Sequence, residues 1–177
     1  MIGPRRPFFK AGPVMRLQKI PADVFAKFVD DRFRRSGIAP ESGFGEAVVE
    51  LAGNLPYDVQ RLAHETWDDV RASGGKKTTL DALHTTLARL LAEQETLFEA
   101  VWQRLTLAQR AVFRAVVLQN GQGLLSADVR ARYRLGGPSS IQASLAALLK
   151  QDLVLKEGNQ YVVVDSLLRE WIARRTF

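Results

Sequence analysis

The stretch SSIQASLAALLKQDLVLKEGNQYVVVD, residues 139–165, combines the pattern of one helix with the pattern of a hairpin. Four apolar residues recur at steps of three and four, as on the buried face of a helix: Ile141, Leu145, Leu148 and Leu149. The two β-rich runs that follow are separated by Gly158 and Asn159, a pair typical of tight hairpin turns. The stretch therefore predicts a helix followed by an antiparallel ribbon.

The residues before this stretch predict two more helices. LTLAQRAVFRAVVLQNG, residues 105–121, has the apolar periodicity of an amphipathic helix that ends at Gly121. After a strand stub at Leu124 and Leu125, Ser126 is placed to cap the small helix ADVRARYRL. Two helices thus come before the helix of the opening stretch.

The start of the third helix is predicted from Ser139 and Gln142, which have the S-x-x-Q spacing of a capping box. Three helices followed by a hairpin is the element order of a winged helix. In that arrangement residues 139–151 would be the recognition helix and residues 153–165 the wing. A final helix carries Trp171 among its apolar residues.

The first part of the chain also has helical periodicity. One helix, in residues 21–37, places Phe25, Phe28, Val29 and Phe33 on a single face, and it is followed by helices in residues 43–53 and 53–70 and by a loop, RASGGKK. The longest periodic element runs from residue 78 to about 104, where the repeated apolar residues include Leu97. Gln94 interrupts it, so a bundle helix, whole or in two pieces, is favoured over a coiled coil.

The composition excludes several kinds of site. With no Cys there is no disulfide, no thiolate zinc site and no cysteine nucleophile, and His64 and His84 are too few for most metal sites. The adjacent acids at Asp30 and Asp68 point about 100° away from Asp31 and Asp69, which predicts solvated charges rather than paired carboxylates. No catalytic residue and no metal site are predicted.

The distribution of apolar and charged residues limits location and partners. No run of about 18 apolar residues occurs, so the chain is expected to be a soluble, cytoplasmic protein with no membrane partner. Residues 99–177 carry 11 Lys or Arg against 6 acids, whereas residues 1–98 carry 14 against 13. This asymmetry is compatible with a polyanionic partner, although ordinary surfaces also produce it.

Several segments, taken in order, resemble the C-terminal half of archaeal-type AAA+/STAND ATPases. They are GNLPYDVQRLAHETWD, LTLAQRAVFRAVV, SSIQASLAALLKQDLV and YVVVDSLLREWI, and FFKAGPVMRLQKI is similar to the exit from the core of that family. In the family a nucleotide-binding core is followed by a helical lid and then by a winged helix. The resemblance implies a mainly α fold with a small β-hairpin, in which a lid-like helical bundle joins a winged helix-turn-helix domain.

The resemblance also implies a division of the chain into four parts. Residues 1–20 would be a residual strand or linker from a missing ATPase core, and residues 21–77 the lid-like domain. Residues 78–104 would form a connecting helix, and residues 105–177 the winged-helix domain.

An apolar patch is predicted where the sheet of that core would be absent. Its residues are Phe8, Phe9, Val14 and Leu17. Exposed apolar surface of this kind favours association, so the patch would dock onto an ATPase core or onto a second copy of the chain.

The chain departs from the family in its phosphate-binding machinery. A phosphate loop needs G-x-x-x-x-G-K-[ST] after a strand, with an acidic strand end for magnesium, and neither pattern occurs. SGGKKTT, residues 73–79, follows a helix and lacks the spacing. No ATP hydrolysis and no cofactor are predicted for this chain, and ATP or ADP with Mg is implied only for the parent family.

A nucleotide-facing turn is a further implication of the resemblance. In the family a G-x-P-like turn of the lid lies over the nucleotide, so Gly53, Asn54 and Pro56 would take that place if the chain were joined to a core. Arg61, one turn into the next helix, would then face a phosphate. The same residues also fit an ordinary loop in which glycine adopts a special backbone conformation and proline fixes φ, with Arg61 solvated.

The winged-helix pattern predicts candidate DNA contacts. The outward face of the recognition helix carries Ser139, Ser140, Gln142 and alanines, so base readout would be weak. Phosphate contacts are predicted from basic side chains of the preceding helix, the end of the recognition helix and the wing: Arg130, Arg132, Arg134, Lys150 and Lys156. The alanine-rich face fits packing on a protein equally well.

Two kinds of function remain open. The chain is either the regulatory, DNA- or protein-binding part of an AAA+/STAND ATPase, without hydrolysis of its own, or a standalone winged-helix transcription regulator or protein-interaction adaptor. Double-stranded DNA and protein are both left as partners of the winged helix.

Overall fold

The computed structural model describes residues 19–175. The predicted apolar patch at Phe8, Phe9, Val14 and Leu17 lies outside the described residues, as does all of the predicted N-terminal strand except Lys19 and Ile20, which form no strand. None of the helices in the described range is long and apolar enough to cross a bilayer.

The described part of the chain consists of helices and two short pairs of strands. In chain order the elements are α1 Ala22–Arg35, β1 Ala39–Pro40, α2 Phe44–Leu51, α3 Pro56–Ala72, β2 Lys77–Thr78, α4 Leu80–Glu93, α5 Glu95–Arg104, α6 Leu107–Leu118, α7 Ala127–Arg132, α8 Pro138–Lys150, β3 Val154–Glu157, β4 Gln160–Val163 and α9 Ser166–Arg174. The predicted fold class, mainly α with a small β-hairpin, is confirmed.

Helix α1 buries a narrower face than its sequence pattern predicts. Phe25, Val29 and Phe33 are buried, as expected, but Phe28 is 48% exposed. Phe28 lies at the edge of the buried face, where α1 and α3 border an open groove, so no neighbouring element covers its ring. Phe28 thus belongs to the apolar face that the periodicity predicts, but it lies at the exposed edge of that face.

A short pair of parallel strands, β1 and β2, joins the loop after α1 to the loop after α3. Ala39 pairs with Lys77 and Pro40 with Thr78, in a segment where the sequence predicts only a loop. Strands of two residues carry no alternating pattern, so periodicity could not find them. Glu41 strengthens the junction, because its Oε2 accepts a hydrogen bond of 2.8 Å from the first amide of α4.

The long periodic segment is broken in two at Gln94. That residue ends α4 and begins α5, in agreement with the predicted interruption. The break changes the phase of the buried face, so α5 buries Phe98 and Trp102 and leaves Leu97, one of the repeated apolar residues, 59% exposed.

The third helix of the winged helix starts earlier than predicted. Gly137 is the N-cap of α8 and Pro138 its first residue, so Ser139 and Gln142 lie inside the helix and form no capping box. Proline is suited to the first helical turn because its φ is preset and no amide hydrogen is needed there. A complete capping box is found instead at the start of α6, between Thr106 and Gln109.

The wing is a regular hairpin attached to the end of α6. Strands β3 and β4 are antiparallel, with Glu157 opposite Gln160, and Gly158 has the positive φ, 59°, that its turn requires. The predicted strand stub at Leu124 and Leu125 is not formed. The backbone contact to the hairpin comes instead from Gly121, whose carbonyl accepts a hydrogen bond of 3.2 Å from the amide of Tyr161.

Helix α9 connects the winged helix to the helices at the front of the chain. The Arg169 guanidinium donates hydrogen bonds of 2.8 and 2.9 Å to the carbonyls of Glu50 and Leu51, at the end of α2. Further along α9, the Trp171 indole donates to Glu95 at 2.6 Å, and Arg175 donates to Glu99. The boundaries of the four predicted domains stay a prediction.

Candidate functional site

The helix before the recognition helix is held by a cap and by a side-chain contact. Ser126 caps α7 as predicted, because its Oγ accepts a hydrogen bond of 3.3 Å from the amide of Val129. Arg130 is half-buried, and its Nε donates to the carbonyl of Gly136 at 3.3 Å. The guanidinium of Arg130 therefore braces the turn that leads into α8.

Arg134 does not belong to α7, although its sequence pattern places it there. The helix ends at Arg132, and Arg134 lies beyond it with a left-handed φ of 52°. The amide of Leu135 donates to the carbonyl of Arg130 at 2.9 Å, which is the Schellman pattern of helix termination. Arg132 and Arg134 are both exposed, one at the helix end and one in the turn after it.

The outward face of α8 carries small polar and alanine side chains, as predicted. Ser139, Ser140, Gln142 and Lys150 are all exposed. Ile141, Leu145 and Leu148 are buried on the opposite side, together with Ser144. A helix with such short outward side chains can approach another surface closely.

A recess of about 330 Å³ lies between α8, the wing and the loop before α7. Of the predicted contact residues, Gln142 and Lys156 line it together, whereas the arginines of α7 and the turn after it do not. Ser126, Asn159 and Tyr161 also line the recess. A ligand in this recess would meet an amide, an ammonium group and a hydroxyl.

Sequence reasoning missed Asn159 and Tyr161 as members of this recess. Lys156 and Tyr161 are directly opposite each other in the hairpin, and the Lys156 ammonium lies 5.8 Å from the centre of the Tyr161 ring. The predicted two-residue turn at Gly158 and Asn159 already fixes that pairing, so the register of the hairpin was the available signal.

The basic side chains around α7, α8 and the wing are not neutralised by neighbouring acids. Within residues 19–175, Arg132, Arg134, Lys150 and Lys156 form no ion pair, whereas the acid next to Lys156 on the wing, Glu157, is paired with Lys19 at 2.7 Å. The exposed charge of this surface is therefore mainly positive.

The predicted nucleotide-facing turn connects the end of α2 to the start of α3. Gly53 and Asn54 both have left-handed backbone conformations, with φ of 62° and 54°, and Pro56 is the first residue of α3. The amide of Asn54 donates to the carbonyl of Val49 at 2.8 Å, so Gly53 occupies the usual glycine position of a Schellman motif. The ordinary-loop interpretation thus explains the backbone of this turn.

The segment before α1 and helix α9 both contact this turn. Asn54 donates from Nδ2 to the carbonyl of Ile20 at 3.0 Å, while its Oδ1 is buried without a hydrogen-bond partner among the described residues. A Cβ on Gly53 would lie 3.2 Å from Nη1 of Arg169. Arg61 is half-buried on α3, one turn after Tyr57. The role of Arg169 next to the turn was not predicted, because 116 residues separate the two in the sequence.

The acidic residues that were predicted to be solvated divide into two kinds. Asp68 is exposed, with its Oδ2 3.0 Å from Nδ1 of His64, but Asp69 accepts a hydrogen bond of 2.7 Å from Thr86 and contacts Arg89. Asp69 therefore ties α3 to α4, although it is exposed to solvent as predicted. Asp30 accepts from the amide of Gly45 at 3.0 Å, and burial raises the pKa of its carboxyl.

The hydrogen bond from Arg89 to Glu65 raises the pKa of the guanidinium, with a smaller effect from Glu93. No three His, Cys, Asp or Glu side chains lie together as metal ligands would in the part of the chain from residue 19 to residue 175. Glu65, Asp69 and Glu93 form ion pairs with Arg89.

Comparison with known proteins identifies the winged-helix segment. Residues 96–174 match the family model described as a probable winged helix domain. No curated protein matches the chain.

Solved structures are similar to a longer part of the chain. The Walker-type ATPase of Pyrococcus abyssi is 17% identical, with a TM-score of 0.58 over 87% of this chain and 42% of that chain. The RuvB Holliday junction branch migration motor of Thermotoga maritima is 12% identical over 87% of this chain and 49% of that one, with a TM-score of 0.41. A variant of the same motor with one residue changed is 11% identical over 90% and 51%, with a TM-score of 0.42.

The chain thus spans about half, or less, of the length of these proteins. The two RuvB similarities are too low to establish a common fold. The protein is a mainly helical chain with a winged helix domain, and its fold is similar to part of a Walker-type ATPase.

Proposed function

We propose that this chain is the lid and winged-helix part of an AAA+/STAND-type ATPase, and that its winged helix binds double-stranded DNA with little sequence preference. Four basic side chains around α7, α8 and the wing, which form no ion pair among residues 19–175, support the proposal most directly: Arg132, Arg134, Lys150 and Lys156. The similarity in fold to a Walker-type ATPase supports the placement of the chain within such a protein.

The lack of strong base readout follows from the outward face of α8. Specific recognition in the major groove depends mainly on Arg, Lys, Asn and Gln side chains aimed at base edges. Within α8 that face offers Gln142 between serines and alanines, and Lys150 comes only at the last residue. Phosphate contacts would therefore supply most of the binding free energy, and such contacts do not depend on sequence.

In this proposal a separate ATPase core binds and hydrolyses the nucleotide. The sequence has no phosphate loop, so this chain would hydrolyse no ATP by itself, and ATP or ADP with Mg would be bound by the core. In that assembly Gly53, Asn54 and Pro56 would lie over the nucleotide, and Arg61 would face a phosphate. A cytoplasmic location is part of the same proposal.

The salt dependence of binding to a random duplex tests the DNA partner. If about four cations neutralise phosphates, log K should fall with log salt with a slope near −3.6. Changing Arg132, Arg134 and Lys156 to Gln should reduce the steepness by about one for each cation that is replaced. Lys27→Gln, at an exposed cation on α1, is the matched control and should leave the slope unchanged.

A protein partner is the second candidate, and exposed leucines of the winged helix favour it. Leu125 and Leu155 are 46% and 49% exposed. The winged helix would then act as a docking module, either within an ATPase or as a standalone adaptor. Undetectable DNA binding at low salt, or a slope near zero, would reject the DNA proposal and leave this one.

A further inference from the structure

The strongest unassigned feature lies at the opposite end of the chain, in an open groove of about 470 Å³ between α1 and α3. Its walls are mostly apolar and aromatic, and they include Phe28, Val59 and Trp67. Val59 is completely buried at its base, whereas Phe28 is 48% exposed. Contiguous exposed apolar surface beside a cavity, rather than a single exposed ring, is what marks interaction sites on proteins.

Contacts within the chain already hold the aromatic side chains of the groove in place. The Trp67 indole donates a hydrogen bond of 3.0 Å to Oγ of Ser36, and that hydroxyl donates to the carbonyl of Phe33 at 2.7 Å. The ring of Phe33 packs edge-on against Phe44, 4.7 Å away. Because these side chains are already ordered, a partner would lose little binding free energy to rearrangement.

An exposed apolar stripe extends the groove along α1. Ile20, Val24 and Phe28 are spaced at four-residue steps and are 39%, 56% and 48% exposed. Val24 and Phe28 lie one turn apart on α1, about 6 Å along its axis, and Ile20 directly precedes the N-cap residue Pro21. An elongated partner fits such a surface better than a compact small molecule does.

The charges at the rim are positive. The Arg32 guanidinium lies 5.3 Å from the centre of the Phe28 ring, and the Arg71 guanidinium lies 4.6 Å from the centre of the Trp67 ring. Neither arginine forms an ion pair within the described residues, 19–175. Asp68, next to Trp67 on α3, has its Oδ2 3.0 Å from Nδ1 of His64.

We infer that the α1–α3 groove binds an amphipathic helix of another protein, with apolar residues along one face and acidic residues beside them. The apolar face would cover Phe28 and Trp67, which is the helix-in-groove mode of recognition. The acidic residues would pair with Arg32 and Arg71. This surface is separate from the winged helix, so the inference does not depend on DNA binding.

Two labelled synthetic peptides test the inference against the full chain. One is an amphipathic helix with leucines along one face and glutamates beside them, and the other has lysines in place of the glutamates. The acidic peptide should bind saturably and at least about tenfold more tightly than the basic one. Equal affinity for both peptides, or no binding of either, overturns the inference.

Matched variants locate the binding surface. Phe28→Ser should weaken the acidic peptide at least about tenfold, whereas Leu107→Ser, at a leucine 81% exposed on α6, should leave its affinity unchanged. Arg32→Glu combined with Arg71→Glu should reverse the preference toward the basic peptide, and Arg104→Glu should not. The reversal is independent of Phe28, so it remains informative if that variant folds poorly. Unchanged preference in the double variant overturns the inference.

Two other occupants give different results. If a second copy fills the groove, sedimentation will detect a dimer that Phe28→Ser dissociates. If the chain's own N-terminus fills it, the change of Phe8 and Phe9 to Ser in the full chain will strengthen peptide binding about tenfold. Either result assigns the groove to this chain and overturns the inference, whereas a monomer and an unchanged affinity support it.

Discussion

Gly121 is the residue on which the position of the wing depends. Its φ is 67°, and a Cβ built there would lie 1.8 Å from the carbonyl oxygen of Tyr161 and 2.6 Å from the Tyr161 amide nitrogen. A contact that short cannot be relieved by rotation of a side chain, because both atoms belong to the backbone of β4. Glycine is therefore required for contact between strands as well as for backbone conformation.

Alanine substitution at two glycines separates these effects. Gly37 also has a positive φ, 84°, but no atom lies within 4 Å of its Cβ position, so Gly37→Ala should cost only the backbone strain of about 1–2 kcal/mol. Gly121→Ala should cost at least about 3 kcal/mol, since β4 must move away. Urea unfolding of both variants checks the difference. Equal losses would mean that the wing is not held against Gly121.

Glu99 makes the attachment of α9 sensitive to acid. The hydrogen bond from Arg175 lowers the pKa of the Glu99 carboxyl, with a smaller contribution from Gln103. A carboxyl whose pKa is lower in the folded state stabilises that state above its unfolded pKa and loses this contribution as pH falls through the folded value. Wild type should therefore be more stable than Glu99→Gln at pH 7, and the gap should close below about pH 4. Urea unfolding at several pH values measures the gap, and a constant gap would contradict the prediction.

At the scale of elements, the starts of α6 and α8 are specified by different means. At the start of α6 the side chains of Thr106 and Gln109 each accept a hydrogen bond from the backbone amide of the other residue. The start of α8 instead depends on Gly137 and Pro138. Thr106→Ala should destabilise the protein by about 1 kcal/mol. Ser139→Ala should be neutral or slightly stabilising, because Ser139 lies in the first turn of the helix without capping it. Thermal or urea unfolding of the pair checks both, and a similar loss at Ser139 would restore a capping role to it.

Local patterns were sufficient to predict most of these elements. The periodicity of Ile141, Leu145 and Leu148 predicts the buried face of α8, and the Gly158–Asn159 pair predicts the hairpin turn. Errors arose where two local rules compete. S-x-x-Q spacing at Ser139 matched a capping box, but the proline one residue earlier sets the start of the helix.

The candidate site was predictable only in part because it depends on contacts between distant segments. The exposed positions of Gln142 and Lys156 follow from helix and strand periods, so the sequence predicts both. The support that Arg169 gives to the end of α2 joins positions 118 and 119 residues apart, and no local pattern indicates it. The exposed side of Phe28 is similar, since it depends on how α1 and α3 meet.

At the scale of the whole molecule, α9 determines whether the front helices and the winged helix unfold together. On α9, the guanidinium of Arg169 caps the end of α2, and the backbone amide of Ser166 donates a hydrogen bond of 3.4 Å to Asp58 of α3. Helix α9 also buries Trp171 and Ile172 among the apolar residues of the core. Helix α9 thus joins the two parts, in addition to the ion pair between Lys19 and Glu157, and we expect the most protected amides of α4 and α8 to exchange with the same free energy of opening.

Arg169→Ala should uncouple the unfolding of the front helices from that of the winged helix. The change leaves the carbonyls of Glu50 and Leu51 without the charged donor, and each such hydrogen bond contributes about 1.5–3 kcal/mol. Native-state hydrogen exchange should then give α4 amides an opening free energy at least about 2 kcal/mol below that of α8 amides. Arg174→Ala is the matched control, because Arg174 is 3.8 Å from its acidic partner and should change neither set. An equal decrease at α4 and α8 in Arg169→Ala would mean that the coupling between the two parts does not depend on this residue.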